Sequence, residues 1–350
     1  PGVPDAAYVA VNRERSVDII ARLAAIGCGG AISYAAGFAE IEHSAGSSNA
    51  KGGALQQQLV AAAGSMPLLG PNCYGFINTL SRVTLWPDQH GARPCARGVA
   101  IVTQSSNIAI SMTMQTSGLP IAYVATAGNQ AQLGLSTIAS ALLEDDRVSA
   151  LGLHIEGLDD TRLFEQFARR ARELGKPVVV LRVGTTEQAR ATALTHTASL
   201  AGSSRAFSTL LHRLGIASVT HLDTFLQTLL LLHTVGPLMG SAVLSLSCSG
   251  GEAALMADAL GAQQLMAPAF PVEQEAALRE ILGDLTHISN PLDYNTFIWG
   301  QWQHMARMFA AATDGPFDLA LLVLDFPRQD RCDTHDWEQA LDAYIAGVQA

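Results

Sequence analysis

The sequence predicts an α/β protein built from parallel sheets, and three observations lead to this fold class. Short apolar runs alternate with longer segments of helical periodicity. The apolar runs end in small or polar residues, as strands do at the ligand-binding edge of α/β sheets. The chain is 49% hydrophobic and only 15% charged, so it can bury large cores. Regular strand–helix alternation implies parallel pairing.

The 350 residues are enough for two or three domains, and we predict three. The first covers 1–92 and has the alternation of a Rossmann-like nucleotide-binding domain. A segment at 93–98 with proline, cysteine and two arginines reads as a linker. The second and third domains, 98–235 and 240–350, begin alike, with a strand, a Ser/Gly-rich turn and an alanine-rich helix.

The elements follow in order. In the first domain the periodicity predicts helices at 16–26 and 54–63 and strands at 30–34 and 67–70. Because the first strand candidate comes only near residue 30 and the chain ends in a helix-like segment, we expect part of a longer polypeptide. In the second and third domains we predict strands at 98–103, 120–125, 150–155, 177–183, 241–247 and 317–324, and helices at 108–116, 136–143, 161–174, 204–214, 252–260 and 336–348.

Composition excludes several classes of function. The net charge is −10 with no cluster of lysine and arginine, which argues against nucleic-acid binding. The apolar runs are too short to span a bilayer, and no signal peptide is visible. The five cysteines are scattered, so we expect neither a metal site nor disulfides, and a cytoplasmic location.

Two turns have the pattern of an anion site, in which a strand passes through small residues into a helix. Helix N-termini present free N–H groups and a favourable dipole to phosphate. One turn predicts phosphate binding at Ser105, Ser106 and Asn107. The other predicts it at the run from Ser249 through Gly250 to Gly251.

His196 lies in a run of small and hydroxyl residues, THTASLAG at 195–202. An isolated histidine is more often structural than catalytic. Glu156, however, closes the apolar run at 151–155, where a carboxylate faces the ligand crevice and could orient a histidine ring. Together with the two turns, this pattern favours a histidine that carries a phosphoryl group.

The dense turn at 70–75, GPNCYG, has two interpretations: a tight exit from a strand, or a loop that lines a ligand pocket. Cys73 is a poor candidate nucleophile, since no histidine is placed by spacing to activate it. Tyr74, Phe76 and Trp86 could line a pocket for an aromatic acid or simply pack in the core.

The chain resembles the alpha part of the NDP-forming acyl-CoA synthetases, such as ADP-forming acetyl-CoA synthetase, and more distantly the succinyl-CoA synthetase alpha subunit. The segments that carry the resemblance occur in family order: AGFAE at 36–40, GPNCYGFIN at 70–78, TQSSN at 103–107, AGN at 127–129, HIEG at 154–157, THTASLAG at 195–202, SCSGGEAALMAD at 247–258 and NPLD at 290–293.

The resemblance implies a truncated CoA-binding domain followed by two flavodoxin-like domains. It implies that His196 is phosphorylated, that Glu156 orients it and that the two turns hold the phosphate. It further implies that CoA and the acyl group bind near five residues of the first domain: Gly37, Phe38, Pro71, Asn72 and Cys73.

The implied reaction joins a carboxylic acid, acetate-like or of the hydroxycinnamate type, to CoA with ATP as the energy source and ADP and phosphate as products. ATP-grasp domains, in the same polypeptide or in a beta subunit, would bind the nucleotide and Mg²⁺, and a homo-oligomer is expected.

The motifs depart from the family pattern at two glycines, which are Ser106 and Ala198 here. A rival interpretation is a non-catalytic, CoA-sensing module of a protein acyltransferase. A Rossmann dehydrogenase is disfavoured, because no G-x-G-x-x-G follows a strand.

Overall fold

A computed structural model describes residues 2–43, 51–183 and 204–349, with the side chains of residues 42, 43 and 204 left aside. The described chain forms two compact units, Pro1–Pro237 and Leu238–Ala350. Both are α/β with sheets dominated by parallel pairs, so the predicted fold class is confirmed. None of the described helices has the length and apolar character needed to cross a membrane.

The first unit opens with a small parallel sheet of order β1-β2-β3, flanked by two helices that pack on each other. A short 3-10 helix precedes the second of them. The elements are β1 (Ala7–Val9), α1 (Arg13–Ala25), β2 (Ala31–Ser33), the 3-10 helix (Ala39–His43), α2 (Lys51–Ala63) and β3 (Leu68–Leu69).

A larger, seven-stranded sheet follows, of order β10-β9-β8-β6-β7-β4-β5. All its pairs are parallel except those of β4 with β5 and β7. Its elements are β4 (Phe76–Asn78), β5 (Val83–Leu85), β6 (Gly98–Thr103), α3 (Ser106–Thr113), β7 (Ile121–Thr126), α4 (Leu135–Leu143), β8 (Val148–Ile155), α5 (Thr161–Glu173), β9 (Val178–Arg182), α6 (Ser204–Leu214), β10 (Ala217–Val219) and α7 (Leu222–Thr234).

The central strands of this sheet are buried on both faces, which explains their unbroken apolar runs. Side chains alternate along β6: Val99 and Ile101 face one core, and Ala100 and Val102 face the other. One face is covered by helices that include α4 and α5, the other by α3 and α7.

The second unit has a three-stranded parallel sheet of order β12-β11-β13. Its core packs apolar residues of β11 against α9, α10 and α11. The elements are β11 (Val243–Ser247), α8 (Gly250–Ala262), α9 (Val272–Leu282), β12 (Leu292–Asp293), α10 (Trp302–Thr313), β13 (Leu319–Leu322) and α11 (His335–Gln349).

Most predicted elements are present with shifted ends, and the structure adds several strands that were not predicted. The strand at Ala7–Val9 precedes the first one predicted, and the hairpin Phe76–Leu85 adds two antiparallel strands to the large sheet. Strands of two or three residues leave too little periodicity to detect. The hairpin, inside the predicted first domain, pairs with β7 of the predicted second domain; the three-domain division stays a prediction.

Gly152 in β8 permits the close approach of α7 to the sheet. A Cβ at this position would lie 2.5 Å from Phe225 Cζ and 2.7 Å from Leu229 Cδ1. We predict that Gly152→Val lowers the free energy of unfolding by about 1–3 kcal/mol, because well-packed cores do not absorb added methyl groups. Chemical denaturation measures the loss. Gly261→Ala, at a helical position with no atom within 4 Å of the new Cβ, is the control and should not destabilise. Equal stability of Gly152→Val and the parent would contradict this packing.

His154 near the end of β8 is fully buried, and burial lowers its pKa to about 4. Its Nδ1 lies 2.9 Å from Thr103 Oγ1. The fold therefore favours the neutral ring. The contribution of the neutral His154 ring to the free energy of unfolding is fully present above about pH 6.5, the pKa of histidine in the unfolded chain. It is lost as the pH falls towards 4, because the unfolded chain takes up the proton before the folded one does.

We predict a loss of up to about 3 kcal/mol from this group between pH 6.5 and 4. Denaturation of the parent and His154→Gln across this range measures it, with the difference between the two curves isolating the histidine. Parallel pH profiles would show that His154 does not contribute.

Candidate functional site

The turn between β6 and α3 carries the first predicted anion site. Ser105 caps the helix: its side-chain oxygen accepts a hydrogen bond from the Ile108 amide at 3.4 Å. The Ser105 amide in turn donates to Thr103 Oγ1 at 3.0 Å, which holds the turn against the strand end. No acidic residue lies in the first turn of α3. The first-turn amides of a helix have no partner within it, so this end can receive an anion.

Gln104 connects this turn to the predicted orienting carboxylate. Its buried side-chain amide accepts from the Gly157 amide at 3.0 Å and donates to the Gly157 carbonyl at 2.8 Å. The Glu156 amide also donates to the Gln104 side-chain oxygen. Gln104 thus pairs with the chain after β8 much as a neighbouring strand would. The sequence places Gln104 in the candidate anion turn, but its bonds to Gly157 become visible only once β6 and β8 are adjacent.

The GPNCYG loop follows β3 and turns sharply. Gly70 and Asn72 both have positive φ, and a Cβ at Gly70 would lie 2.7 Å from the Ser33 carbonyl oxygen. The amides of Tyr74 and Gly75 donate to Thr126 Oγ1 at 3.0 and 2.9 Å, which anchors the loop to β7.

Cys73 of this loop is buried, and burial raises the pKa of its thiol to about 12. The thiol is therefore protonated at neutral pH. Since the thiolate is the nucleophilic form, this environment does not favour Cys73 as a nucleophile.

A buried carboxylate joins three of the sequence motifs. Glu40 accepts hydrogen bonds from the Gly37 amide at 2.6 Å, from the Phe38 amide at 3.1 Å and from Asn129 Nδ2. The Asn129 amide donates to the Pro71 carbonyl at 2.9 Å. Three residues predicted to contact CoA or the acyl group therefore have backbone groups bonded to Glu40 or Asn129: Gly37, Phe38 and Pro71. The Phe38 side chain is fully buried.

A cavity of about 390 Å³ lies where the carboxyl ends of β2, β3, β6 and β8 meet. It contains six of the predicted site residues: Asn72, Cys73, Ser105, Ser106, Asn107 and Glu156. Four further residues line it: Tyr34, Ala36, Tyr74 and Gln104. The rule that ligands bind at the carboxyl ends of parallel strands would have pointed to Tyr34, which directly follows β2.

The second predicted anion turn belongs to the second unit. Ser249 caps α8 by accepting from the Glu252 amide at 3.4 Å. Burial, followed by the nearby Asp325, raises the pKa of Glu252, and burial raises the pKa of Cys248 to about 11. Phosphate binding by Ser249, Gly250 and Gly251 stays a prediction.

The NPLD motif is bonded to β11, the strand that leads into this turn. Asn290 accepts from the Ser245 amide at 3.1 Å and donates to the carbonyls of Val243 and Pro268 at 2.8 and 3.0 Å. The motif is therefore structural at its asparagine.

His196 and the segment at 195–202 lie outside the described residues. Its role as phosphoryl carrier stays a prediction. Within the described ranges, no group of three or more histidine, cysteine, aspartate or glutamate residues could hold a metal ion.

Comparison with known proteins gives matches in both sequence and fold. The family described as "Succinyl-CoA ligase like flavodoxin domain" matches residues 96–232. A trans-feruloyl-CoA synthase from an unknown prokaryotic organism is 30% identical over 294 residues, which cover 83% of this chain and 41% of that protein. An ADP-forming acetate–CoA ligase of Archaeoglobus fulgidus is 30% identical over 268 residues, 75% of this chain and 37% of that protein. The chain thus spans less than half the length of these two relatives.

Among solved structures, the dinucleotide-forming acetyl-coenzyme A synthetase 1 of Ca. Korarchaeum cryptofilum, in complex with phosphate and ADP, superposes with a TM-score of 0.82. The superposition covers 100% of this chain and 73% of that one at 21% sequence identity, so it shows a shared fold. These matches confirm the resemblance found in the sequence: the chain is similar over most of its length to the alpha part of the NDP-forming acyl-CoA synthetases, and residues 96–232 match the succinyl-CoA ligase like flavodoxin domain.

Proposed function

We propose that this chain is the acyl- and phosphoryl-transferring part of an ADP-forming acid–thiol ligase. The observation that carries the proposal is the single cavity that joins the GPNCYG loop, the N-terminus of α3 and Glu156. An anion-binding helix end and a candidate histidine-orienting carboxylate in one cavity fit phosphoryl transfer. The names of the relatives, ADP-forming acetate–CoA ligase and feruloyl-CoA synthase, support the same reaction.

The proposed reaction converts a carboxylic acid, CoA and ATP into acyl-CoA, ADP and phosphate. ATP first phosphorylates an imidazole nitrogen of His196, and ADP leaves. A carboxylate oxygen of the acid then bonds to phosphorus, while the P–N bond breaks and returns its electron pair to the imidazole. The CoA sulfur next bonds to the acyl carbon. The C–O bond to phosphate breaks with its electron pair on phosphate, which takes up the thiol proton.

Each described residue has a distinct task in this scheme. The amides at the start of α3, with Ser106 and Asn107, stabilise the phosphoryl oxygens without reorganisation. Glu156 accepts the N–H of the His196 ring and so fixes the tautomer that leaves the other nitrogen free. Gln104 fixes the backbone that carries Glu156.

The acid and CoA meet at the GPNCYG loop in this proposal. Asn72, which lines the cavity, binds CoA near its thiol end. Gly37, Phe38 and Pro71 shape the CoA site from behind, because their backbone groups are already bonded to Glu40 and Asn129. CoA supplies the sulfur nucleophile, and burial, which raises the pKa of the Cys73 thiol to about 12, disfavours Cys73 in that role.

The nucleotide step requires ATP-grasp domains in the same polypeptide or in a beta subunit, where Mg²⁺ would accompany ATP. A relative from Pyrococcus furiosus carries the name "subunit alpha", which supports such a partner. We further propose that the protein forms a homo-oligomer. We propose a cytoplasmic location as well, because the cysteines are unpaired.

We predict that His196 becomes phosphorylated when the full-length protein is incubated with labelled ATP and Mg²⁺. The label should be acid-labile and base-stable. His196→Ala should abolish both label and acyl-CoA formation, because no other group then accepts the phosphoryl. His221→Ala, at the exposed start of α7, is the matched control and should keep the label. Label that survives in His196→Ala would place the carrier elsewhere.

We also predict that Glu156→Gln lowers kcat by about 10²-fold or more, as expected for a group that supports acid–base or nucleophilic chemistry. Steady-state assays of acyl-CoA formation and the rate of His196 phosphorylation measure the effect. Glu144→Gln, which removes an exposed carboxylate paired with Arg170, is the control. Near-normal turnover in Glu156→Gln would remove Glu156 from the mechanism.

A further inference from the structure

Four aromatic rings form a continuous row whose two middle members line the cavity. The ring centroids of Tyr8 and Tyr34 are 6.1 Å apart, those of Tyr34 and Tyr74 are 5.7 Å apart, and those of Tyr74 and Trp86 are 5.3 Å apart. Tyr34 and Tyr74 line the cavity, while Tyr8 and Trp86 support them from either side. Such tilted and edge-on contacts hold rings in fixed orientations.

Packing in the hydrophobic cores explains the positions of Tyr8 and Trp86 but not those of Tyr34 and Tyr74. Tyr8 packs against the small cluster around Ile32, and Trp86 packs against the core of the large sheet. Tyr34 and Tyr74 belong to none of the core clusters of the described residues. Tyr34 is 39% exposed. Two rings are thus held in place with aromatic surface open to the cavity.

Two kinds of side chain line the cavity. The start of α3, with Ser105, Ser106 and Asn107, suits a carboxylate or phosphoryl group, and the two tyrosines suit a flat apolar group. The volume of about 390 Å³ falls among the pockets that hold drug-sized ligands, about 300–1,000 Å³, so the cavity has room for an aromatic ring.

We infer that Tyr34 and Tyr74 determine the acid specificity and that the acid is an aromatic carboxylic acid, whose ring lies against these two side chains while its carboxylate faces the α3 turn. This inference rests on the proposed ligase function and specifies its substrate class. The two phenols also offer hydrogen bonds to oxygen substituents on the ring. Burial, followed by the neighbouring Tyr34 and Asp88, raises the pKa of Tyr74 and keeps its phenol protonated.

The same rings could instead contact CoA, and kinetics separates the two cases. The probes are 4-hydroxycinnamate and acetate, each assayed with the full-length protein, ATP and CoA. The measured quantity is the ratio of kcat/KM for 4-hydroxycinnamate to kcat/KM for acetate. Tyr34→Leu and Tyr74→Leu should each lower this ratio by about tenfold, the size expected for loss of one aromatic contact.

Tyr34→Phe and Tyr74→Phe retain the rings and should restore most of the ratio. Phe297→Leu, which removes a 66% exposed ring of the second unit, is the matched control for losing an aromatic side chain. Titration calorimetry of 4-hydroxycinnamate with the same proteins gives a readout that does not depend on turnover, and its Kd should rise about tenfold in the two leucine variants.

The outcomes distinguish the inference from the function beneath it. Turnover of acetate without turnover or binding of 4-hydroxycinnamate would overturn the inference and leave the ligase intact. A rise in the KM for CoA with an unchanged ratio would assign the rings to CoA and also overturn it. Binding of 4-hydroxycinnamate that depends on both rings, without His196 phosphorylation, would support the pocket and contradict the ligase.

Discussion

The buried carboxylate of Glu40 holds the loops from which the cavity is built. A carboxylate removed from water is costly unless hydrogen-bond donors surround it, and Glu40 receives them from Gly37, Phe38 and Asn129. Asn129 follows β7 of the large sheet, whereas Gly37 and Phe38 follow β2 of the small one. The hydrogen bonds to the Glu40 carboxylate therefore connect the carboxyl edges of the two sheets. Asn129 extends the tie to the GPNCYG loop, since its side chain accepts from Asn72 at 3.3 Å.

Gln104 connects two loops in the same way within the large sheet. Its side-chain amide has one donor and one acceptor side, and both are used on the backbone of Gly157. A glutamate at position 104 could not donate a hydrogen bond to the Gly157 carbonyl, and the side chain of a serine would be too short to reach Gly157. The turn that starts α3 and the strand end that carries Glu156 are thus held at a fixed separation, which suits the proposed phosphoryl transfer between them.

The central strands, and the positions of the motif residues at their ends, could be predicted from the sequence, because strands buried on both faces have long apolar runs. It was insufficient where the signal is short or nonlocal. The hairpin Phe76–Leu85 consists of two three-residue strands and takes its place from pairing with β7. Tyr34 looked unremarkable beside Tyr74 and Trp86, because the contact between Tyr34 and Tyr74 joins residues forty positions apart and depends on the small sheet pairing β2 with β3. Phe76 and Trp86, considered for an aromatic pocket, pack in the cores.

The two helix N-termini with similar sequences have different electrostatic surroundings, each within its own unit. The first turn of α3 contains no acidic residue, so its dipole acts on an anion without local opposition. The first turn of α8 contains Glu252, and Asp325 and Asp293 both contribute to the raised pKa of that carboxyl. A phosphoryl group at α8 would add negative charge to an already acidic neighbourhood and would favour the protonated form of Glu252 still further. Similar strand–turn–helix sequences thus have different electrostatic surroundings, and part of the difference arises from residues outside the turn itself.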